Sequence, residues 1–494
     1  MRPDNIWQKV LALGSTPAAF NITELFGPGL SAGASIYETS FTSDVSQRWS
    51  VHRAPSFVGA IKPATVEDVQ SIVKIAAKHK VPFLATGGGH GVSSTLAGVR
   101  DGVQVDLGNF NDVNFDAETG LLTVGGSVKF SQIIDVVHKA GYQFRTCKQS
   151  SSYEETRTLI APSPAVGTAP CVGVLGATLG GGVSANQGRF GLLSDILQSV
   201  ELVTAQGSVV HASRTDNADL FWALRGAGAN YGVVTSATFK VPEAINEGRA
   251  VNANFLYAAD KIPSVFDILA SLDSGLPQDL ALNIFTGWNA QAGGLMMILN
   301  ANYYGREDQV EPWLDVFQKL GPLNAEVLDV PWTRVYETSY FGINDTKACG
   351  RRQHINMYSV AARRTDAPAL SAFVEDLAKF SQDNKDITTS FVVHRFATEA
   401  VMKIPDVESA YAYRDVTMHL FLHSARAKLN KGAGYNGEQT VYVNFAHGDE
   451  GRAAWYGERK LERLGRVKSE WDPDGLFSFY NPVPTADDGY ELRK

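Results

Sequence analysis

Two glycine clusters hold the residues best suited to chemistry. The first, Thr86-Gly87-Gly88-Gly89-His90-Gly91, ends an apolar run at residues 81–85. The second covers residues 173–191 and includes Gly173, Gly176, Gly180, Gly181, Gly182 and Gly191. Without a Cβ, glycine lets the backbone approach a ligand closely and reach positive φ. Successive N–H groups in such loops form anion-binding nests, which suit a pyrophosphate. Tight turns between packed strands are the plain alternative. Neither cluster is a Walker loop, because no Gly-Lys-Ser/Thr occurs. Neither opens a helix as a G-x-G-x-x-G dinucleotide fingerprint does. His90 adds an imidazole nucleophile at the end of the first run. Tyr442 and Asn444 stand two apart in an extended pattern, so both would face one side of a strand. Tyr442 is a candidate base or donor; with a phenol pKa of about 10 it needs a perturbing neighbour to act as a base.

His419 and His423 alternate with Met418, Leu420 and Leu422, a period of two that sets both imidazoles on one strand face. No third ligand accompanies them, so no metal site is expected. Arg351, Arg352 and His354 read as a surface charge cluster, with an anionic substrate as the alternative. The three cysteines, Cys147, Cys171 and Cys349, are too few and too scattered to suggest a disulfide framework.

The surrounding pattern supplies elements that could position these groups. Residues 57–61 read as a strand. A helix follows, with Thr65 as N-cap, acids in its first turn, and an apolar stripe of Val66, Val69, Ile72, Val73 and Ala76. Residues 81–85 form the next strand and lead into the first glycine loop. Short strands at 103–107 and 121–124, a helix near 130–140, and a hairpin at 200–211 continue the pattern. Residues 148–170 are rich in Ser, Thr and Pro and read as loop. After about residue 245 glycine thins out, and strands alternate with amphipathic helices near 261–273 and 367–382. This predicts an antiparallel sheet with helices on one face. A helix near 451–468 returns to the first style. The expected organisation is a lead-in at 1–50 with order from Pro55, a first domain at 51–245, an insert at 246–438, and a closing segment at 439–494.

Composition narrows the classes. A chain of 494 residues exceeds one ordinary core. With 44% hydrophobic and 19% charged residues, it is globular rather than disordered. The net charge of -8 and the lack of basic runs argue against nucleic acid. No apolar stretch is long enough to span a membrane. The start of the chain shows no signal-peptide pattern, so a cytoplasmic location is expected, although the sequons at Asn21 and Asn344 point weakly to secretion.

Four segments, taken in order, resemble the vanillyl-alcohol-oxidase / p-cresol-methylhydroxylase superfamily, in its berberine-bridge-enzyme-like branch. Pro82 through Gly91 is similar to the first FAD-binding motif. Gly173 through Gly182, followed by Arg189-Phe190-Gly191-Leu192-Leu193-Ser194-Asp195, resembles the second. Arg225 through Val234 resembles the third, and Trp471 through Phe477 with Asn481-Pro482 resembles the closing segment. The match covers about residues 50–245 and 440–485; the middle matches only in length and style.

The resemblance implies an α+β fold: a bipartite PCMH-type FAD-binding domain with an inserted substrate domain of antiparallel sheet plus helices. It implies FAD held by Thr86, Gly87, Gly88, Gly89, His90 and Gly91, by Val174, Gly176, Thr178, Gly180, Gly181, Gly182, Gly191 and Asp195, and by Gly232, Val234 and Asn481. His90 would carry a covalent bond to the flavin 8α carbon. A second bond from Cys171 is not expected, because the matching register falls on Ala169. Thr86 replaces an arginine common in relatives, which leaves pyrophosphate binding to backbone N–H groups. Val174 falls beside flavin carbon 4a, where a small side chain admits oxygen. Tyr442 and Asn444 are the implied catalytic pair. The implied activity is an oxidase that takes a hydride from a small alcohol, amine or natural-product intermediate, with molecular oxygen as acceptor and oxidative cyclisation as one form. A dehydrogenase or redox-neutral cyclase of the same fold, and a non-enzymatic binding protein, are the competing readings.

Overall fold

The structure, a computed structural model, describes residues 20–144, 169–342, 349–422 and 427–486. Most of the expected loop at 148–170 lies outside the described residues, as do Cys147, Asn344 and His423.

Three sheets carry the fold. The first contains β1 (Ser35–Tyr37), β2 (Phe57–Lys62), β3 (Phe83–Thr86) and β4 (Gly102–Asp106) in the order β1-β2-β4-β3. β4 runs parallel to both β2 and β3, which requires a crossover between those two strands. Helix Val66–His79 supplies it. Thr65 Oγ1 accepts from Asp68 N, and the Asp68 carboxylate accepts from Thr65 N. Val69, Ile72, Val73 and Ala76 are fully buried against the sheet. Burial of a Val or Ile side chain contributes about 1.5–3 kcal/mol, so this stripe fixes the helix and therefore the exit of β3 into the first glycine loop. Asp68 also accepts from Ser31 N at 2.6 Å and Ser31 Oγ at 2.8 Å. That tie, with the antiparallel pairing of β1 on β2, brings residues before Pro55 into the sheet. The expected lead-in is therefore partly integral. A three-residue strand shows no alternation of its own, and its pairing is non-local.

The second sheet contains β5 (Val113–Asp116), β6 (Leu121–Gly125), β7 (Leu197–Val203), β8 (Val209–Ser213) and β9 (Val233–Lys240), all antiparallel, in the order β5-β6-β9-β7-β8. Helix Ala218–Ala227 kinks at Gly226, where φ is +147°. A Cβ there would meet Tyr411 N at 2.3 Å, so only glycine lets residues 410–411 lie against this turn.

The third sheet contains β10 (Arg249–Ala258), β11 (Leu280–Asn289), β12 (Gly294–Tyr303), β13 (Asn324–Pro331), β14 (Tyr358–Ala362), β15 (Ser390–Phe396) and β16 (Met418–Leu422). It is antiparallel throughout, in the order β13-β10-β12-β11-β15-β16-β14. One face, with Phe255, Leu282, Leu299, Val393 and Leu420, packs on helices Ile262–Ser271 and Ala367–Asp383. The other face, with Phe285, Ile298, Val392 and Phe421, shares a core with Leu192, Leu193 and Leu197.

The chain then returns to the first two sheets. The single helix expected near 451–468 is two helices, Arg452–Tyr456 and Glu458–Trp471, divided at Gly457 with φ +69°. Lys468 and Asp472 form an ion pair with no exposed side-chain surface, and Lys468 Nζ donates to Asn230 O at 2.8 Å. The Asp472 carboxylate accepts from Leu476 N and Phe477 N, so the pair joins the closing turn, through Lys468 and Asn230 O, to the third motif.

Cys171 and Cys349 form a disulfide. This corrects the expectation from cysteine spacing. The partners lie 178 residues apart, and only the docking of the insert brings them together. Among the described residues, no helix is long and apolar enough to cross a membrane.

Candidate cofactor and substrate site

A cleft of about 310 Å³ opens between the first two sheets, walled by the glycine loops and the closing segment. β3 delivers Thr86, Gly87, Gly88, Gly89, His90 and Gly91 to its wall; the second cluster contributes Gly176 and Gly180, and the third motif Gly226, Gly228, Gly232 and Val234. Tyr442 and Asn444 close one side. The two glycine loops touch backbone to backbone: a Cβ on Gly88 would meet Gly173 N at 2.4 Å. Gly176 is exposed in the cleft, and a Cβ there would meet nothing within 4 Å.

Other expected cofactor residues lie behind the wall. Val174 and Thr178 sit four apart on helix Val174–Leu179 and turn into the core, while Gly176 turns outward. Val174 is fully buried and does not line the cleft, which removes it from the place expected beside carbon 4a. Gly181 and Gly182 have positive φ and shape the turn that follows this helix, and Gly191, also at positive φ, ends the next one, Gln187–Phe190. Asp195 pairs with Arg414 at 2.8 Å, both nearly buried, and accepts from Leu192 N, so it fastens the insert rather than lining the cleft. Asn481 is fully buried; it accepts from Ser93 Oγ at 2.7 Å and donates to Val443 O at 3.0 Å.

His90 stacks on Trp49 with ring centroids 5.6 Å apart. Its Nε2 is buried with no hydrogen-bond partner among the described residues. Burial first, then the charges of Arg351, Lys129 and Arg48, hold its pKa at about 3. The imidazole is therefore neutral and keeps a free lone pair, as a nucleophile requires. Arg351 is not part of a surface cluster as expected. Its Nη1 donates to Gly88 O at 2.8 Å and to Gln47 O at 3.2 Å. Arg48 donates to Gly91 O. Sequence reasoning missed Arg48 and Trp49 because they precede the motif in a segment without periodicity. Three cations around a glycine loop suit an anionic group.

Tyr442 and Asn444 do not lie on a strand. Tyr442 is extended and precedes the 3-10 turn Val443–Phe445. The two side chains still converge, because Asn444 Nδ2 donates to Tyr442 Oη at 2.8 Å. Tyr442 Oη also accepts from Gly182 N at 2.9 Å and donates to Ala177 O at 3.2 Å; Asn444 Nδ2 donates to Ala177 O at 2.9 Å. Burial pushes the Tyr442 phenol up to about 12, against the pull of its hydrogen bonds. In this geometry the pair clamps the second glycine stretch, and its phenol is a donor rather than a ready base. His419 lies 5.8 Å from the Tyr442 ring and is 2% exposed, so it does not belong to a solvated face.

Comparisons with known proteins agree with this geometry. Residues 58–153 match the family described as "FAD binding domain", and residues 441–484 match "Berberine and berberine like". The chain is 39% identical over 479 residues to the FAD-linked oxidoreductase azaL of Aspergillus niger, covering 92% of this chain and 97% of that protein. It is also 39% identical to the FAD-linked oxidoreductase tazG of Aspergillus terreus, covering 96% of each. Among solved structures, Physcomitrella patens BBE-like 1 aligns with a TM-score of 0.75 at 21% identity, covering 94% of this chain and 99% of that one. A xylooligosaccharide oxidase from Myceliophthora thermophila, in complex with xylobiose, aligns with a TM-score of 0.73 at 24% identity over the same shares.

Proposed function

Since the chain belongs to the berberine-bridge-enzyme-like FAD-linked oxidoreductases, we propose that it is an oxidase of a small organic molecule, with FAD bound covalently through His90 and oxygen as the acceptor. When bound, FAD supplies the two-electron acceptor for a substrate hydride and hands those electrons to oxygen, giving hydrogen peroxide. The chain does the rest. The observation that carries the reading is the neutral His90 imidazole, buried with an unpartnered Nε2 in a cleft walled by glycine backbone. Arg351 and Arg48 hold the loop beside it through Gly88 O and Gly91 O. Tyr442 and Asn444 fix the facing glycine stretch. The 6-S-cysteinyl, 8α-N1-histidyl FAD of glucooligosaccharide oxidase from Acremonium strictum, a solved neighbour of the same fold, supports a histidyl bond here. Cys171 has its sulfur in the disulfide, which leaves one flavin bond. That disulfide also favours folding in an oxidising compartment over the cytoplasmic expectation.

Acid precipitation tests the link. Yellow colour should stay in the wild-type pellet and leave it in His90→Ala. Colour released by wild type overturns the covalent bond. Peroxide formed during turnover supports the oxidase; turnover with a dye acceptor but no peroxide assigns a dehydrogenase instead.

A further inference from the structure

Four segments close a circuit around His90. In the first glycine loop, Gly88 lies backbone to backbone on Gly173, where a Cβ would come within 2.4 Å. Cys171, just before Gly173, is joined to Cys349 of the insert. The insert then runs beside the lead-in segment. Arg352 N donates to Arg48 O at 2.8 Å, Gln353 N to Trp49 O at 2.9 Å, and Val51 N to Gln353 O at 2.8 Å. Trp49 N donates in turn to Gly89 O at 2.9 Å, and its indole stacks on His90, which returns the circuit to the loop.

Arg351 sits within this circuit. Its Nη1 donates to Gly88 O at 2.8 Å and to Gln47 O at 3.2 Å, so one side chain of the insert pins the glycine loop to the lead-in segment. The approach is close. Gly89 is at φ +70°, and a Cβ on it would meet Gln47 O at 2.8 Å and Arg351 Nη1 at 3.4 Å. Arg351 does not line the cleft. It reaches His90 through the loop backbone and through its charge. Burial does most to keep the imidazole neutral, and among the neighbouring cations Arg351 adds the largest push. A neutral imidazole keeps the lone pair that a nucleophile needs.

Flavin attachment exchanges one imidazole N–H bond and one C–H bond of the 8α methyl group for an N–C bond. The two electrons and two protons released pass through the flavin to oxygen, which leaves as hydrogen peroxide. The rate depends on where the imidazole nitrogen is held and on its being unprotonated. We propose that Arg351 is the positioning residue for this step: it fixes the His90 loop only when the insert is docked, so attachment occurs on the assembled protein. The inference rests on the histidyl-FAD reading.

The test uses full-length protein from riboflavin-limited cells, mixed with FAD at several concentrations. Acid-stable flavin is followed with time in wild type, Arg351→Met and Arg351→Lys. In Arg351→Met the limiting rate should fall by at least about tenfold, within the range that misplacing a reacting group by about 1 Å produces. Half-saturating FAD should stay within about threefold of wild type, because the residue acts on the reacting group and not on binding. Arg351→Lys keeps a charge and a donor and should recover most of the rate. A smaller loss in Arg351→Met overturns the inference. So does a loss confined to half-saturating FAD, or a lysine variant as slow as the methionine one, since either makes Arg351 part of the scaffold only. Those outcomes leave the histidyl bond standing. Wild type that binds FAD but never holds it through acid overturns both.

Discussion

Gly176 offers the sharpest test of what fills the cleft. It is the third residue of helix Val174–Leu179, it is exposed, and a Cβ there would meet nothing within 4 Å. By helix propensity alone, alanine should improve this site by up to about 1 kcal/mol, since glycine costs that much in a helix interior. Cofactor in the cleft reverses the sign. An added methyl pressed against a bound ring or phosphate costs about 1–3 kcal/mol, a factor of roughly 5 to 150 in affinity. The measurement uses a His90→Ala background, so that flavin can dissociate. Gly176→Ala in that background should raise the Tm of the flavin-free protein and weaken FAD binding by a factor in that range. Gly88→Ala is the contrast: its Cβ would strike Gly173 backbone at 2.4 Å, so it should destabilise the protein with and without flavin. Undiminished FAD affinity in Gly176→Ala would refute the reasoning, because it would mean that no cofactor atom lies against this helix.

Tyr442→Phe should lower stability by about 1–3 kcal/mol in denaturant unfolding, because the buried Gly182 N–H loses its acceptor; an unchanged midpoint would show that the clamp carries no weight. Cys349→Ser should cost about 2–5 kcal/mol under non-reducing conditions, and peptide mapping of wild type should recover Cys171 joined to Cys349. The buried histidines set a pH dependence. His394 and His419 sit near 3 when folded, against about 6.5 unfolded. Between those values the unfolded chain takes up protons that the folded chain refuses. Stability is therefore full above about pH 6.5 and declines as pH falls toward 3, by about 2 kcal/mol per histidine at pH 5. Thermal melts across that range should show the decline, and His394→Met should flatten it.

What could be read from the chain alone was whatever is written in local order. Val69, Ile72, Val73 and Ala76 announce their helix through spacing, and the glycines before His90 announce a loop that must come close to something. The order of four motifs identified the family and the FAD site. Tertiary structure decided which motif residues touch the cleft. Val174 and Thr178 belong to the second motif as much as Gly176 does, but the helical period turns them into the core. Tyr442 and Asn444 look like strand neighbours, yet they converge through a 3-10 turn held by contacts to a stretch some 260 residues earlier. Arg351 reads as surface charge until docking of the insert carries it to Gly88 O, and Cys171 finds Cys349 by the same docking. A buried row of polar side chains, Asn254, Asn300, Asn283, His394 and His419, is assembled from five strands whose register no local pattern specifies. Periodicity reports which face of an element is apolar. Which polar atoms meet across elements, and which are left without a partner, depends on non-local pairing and packing.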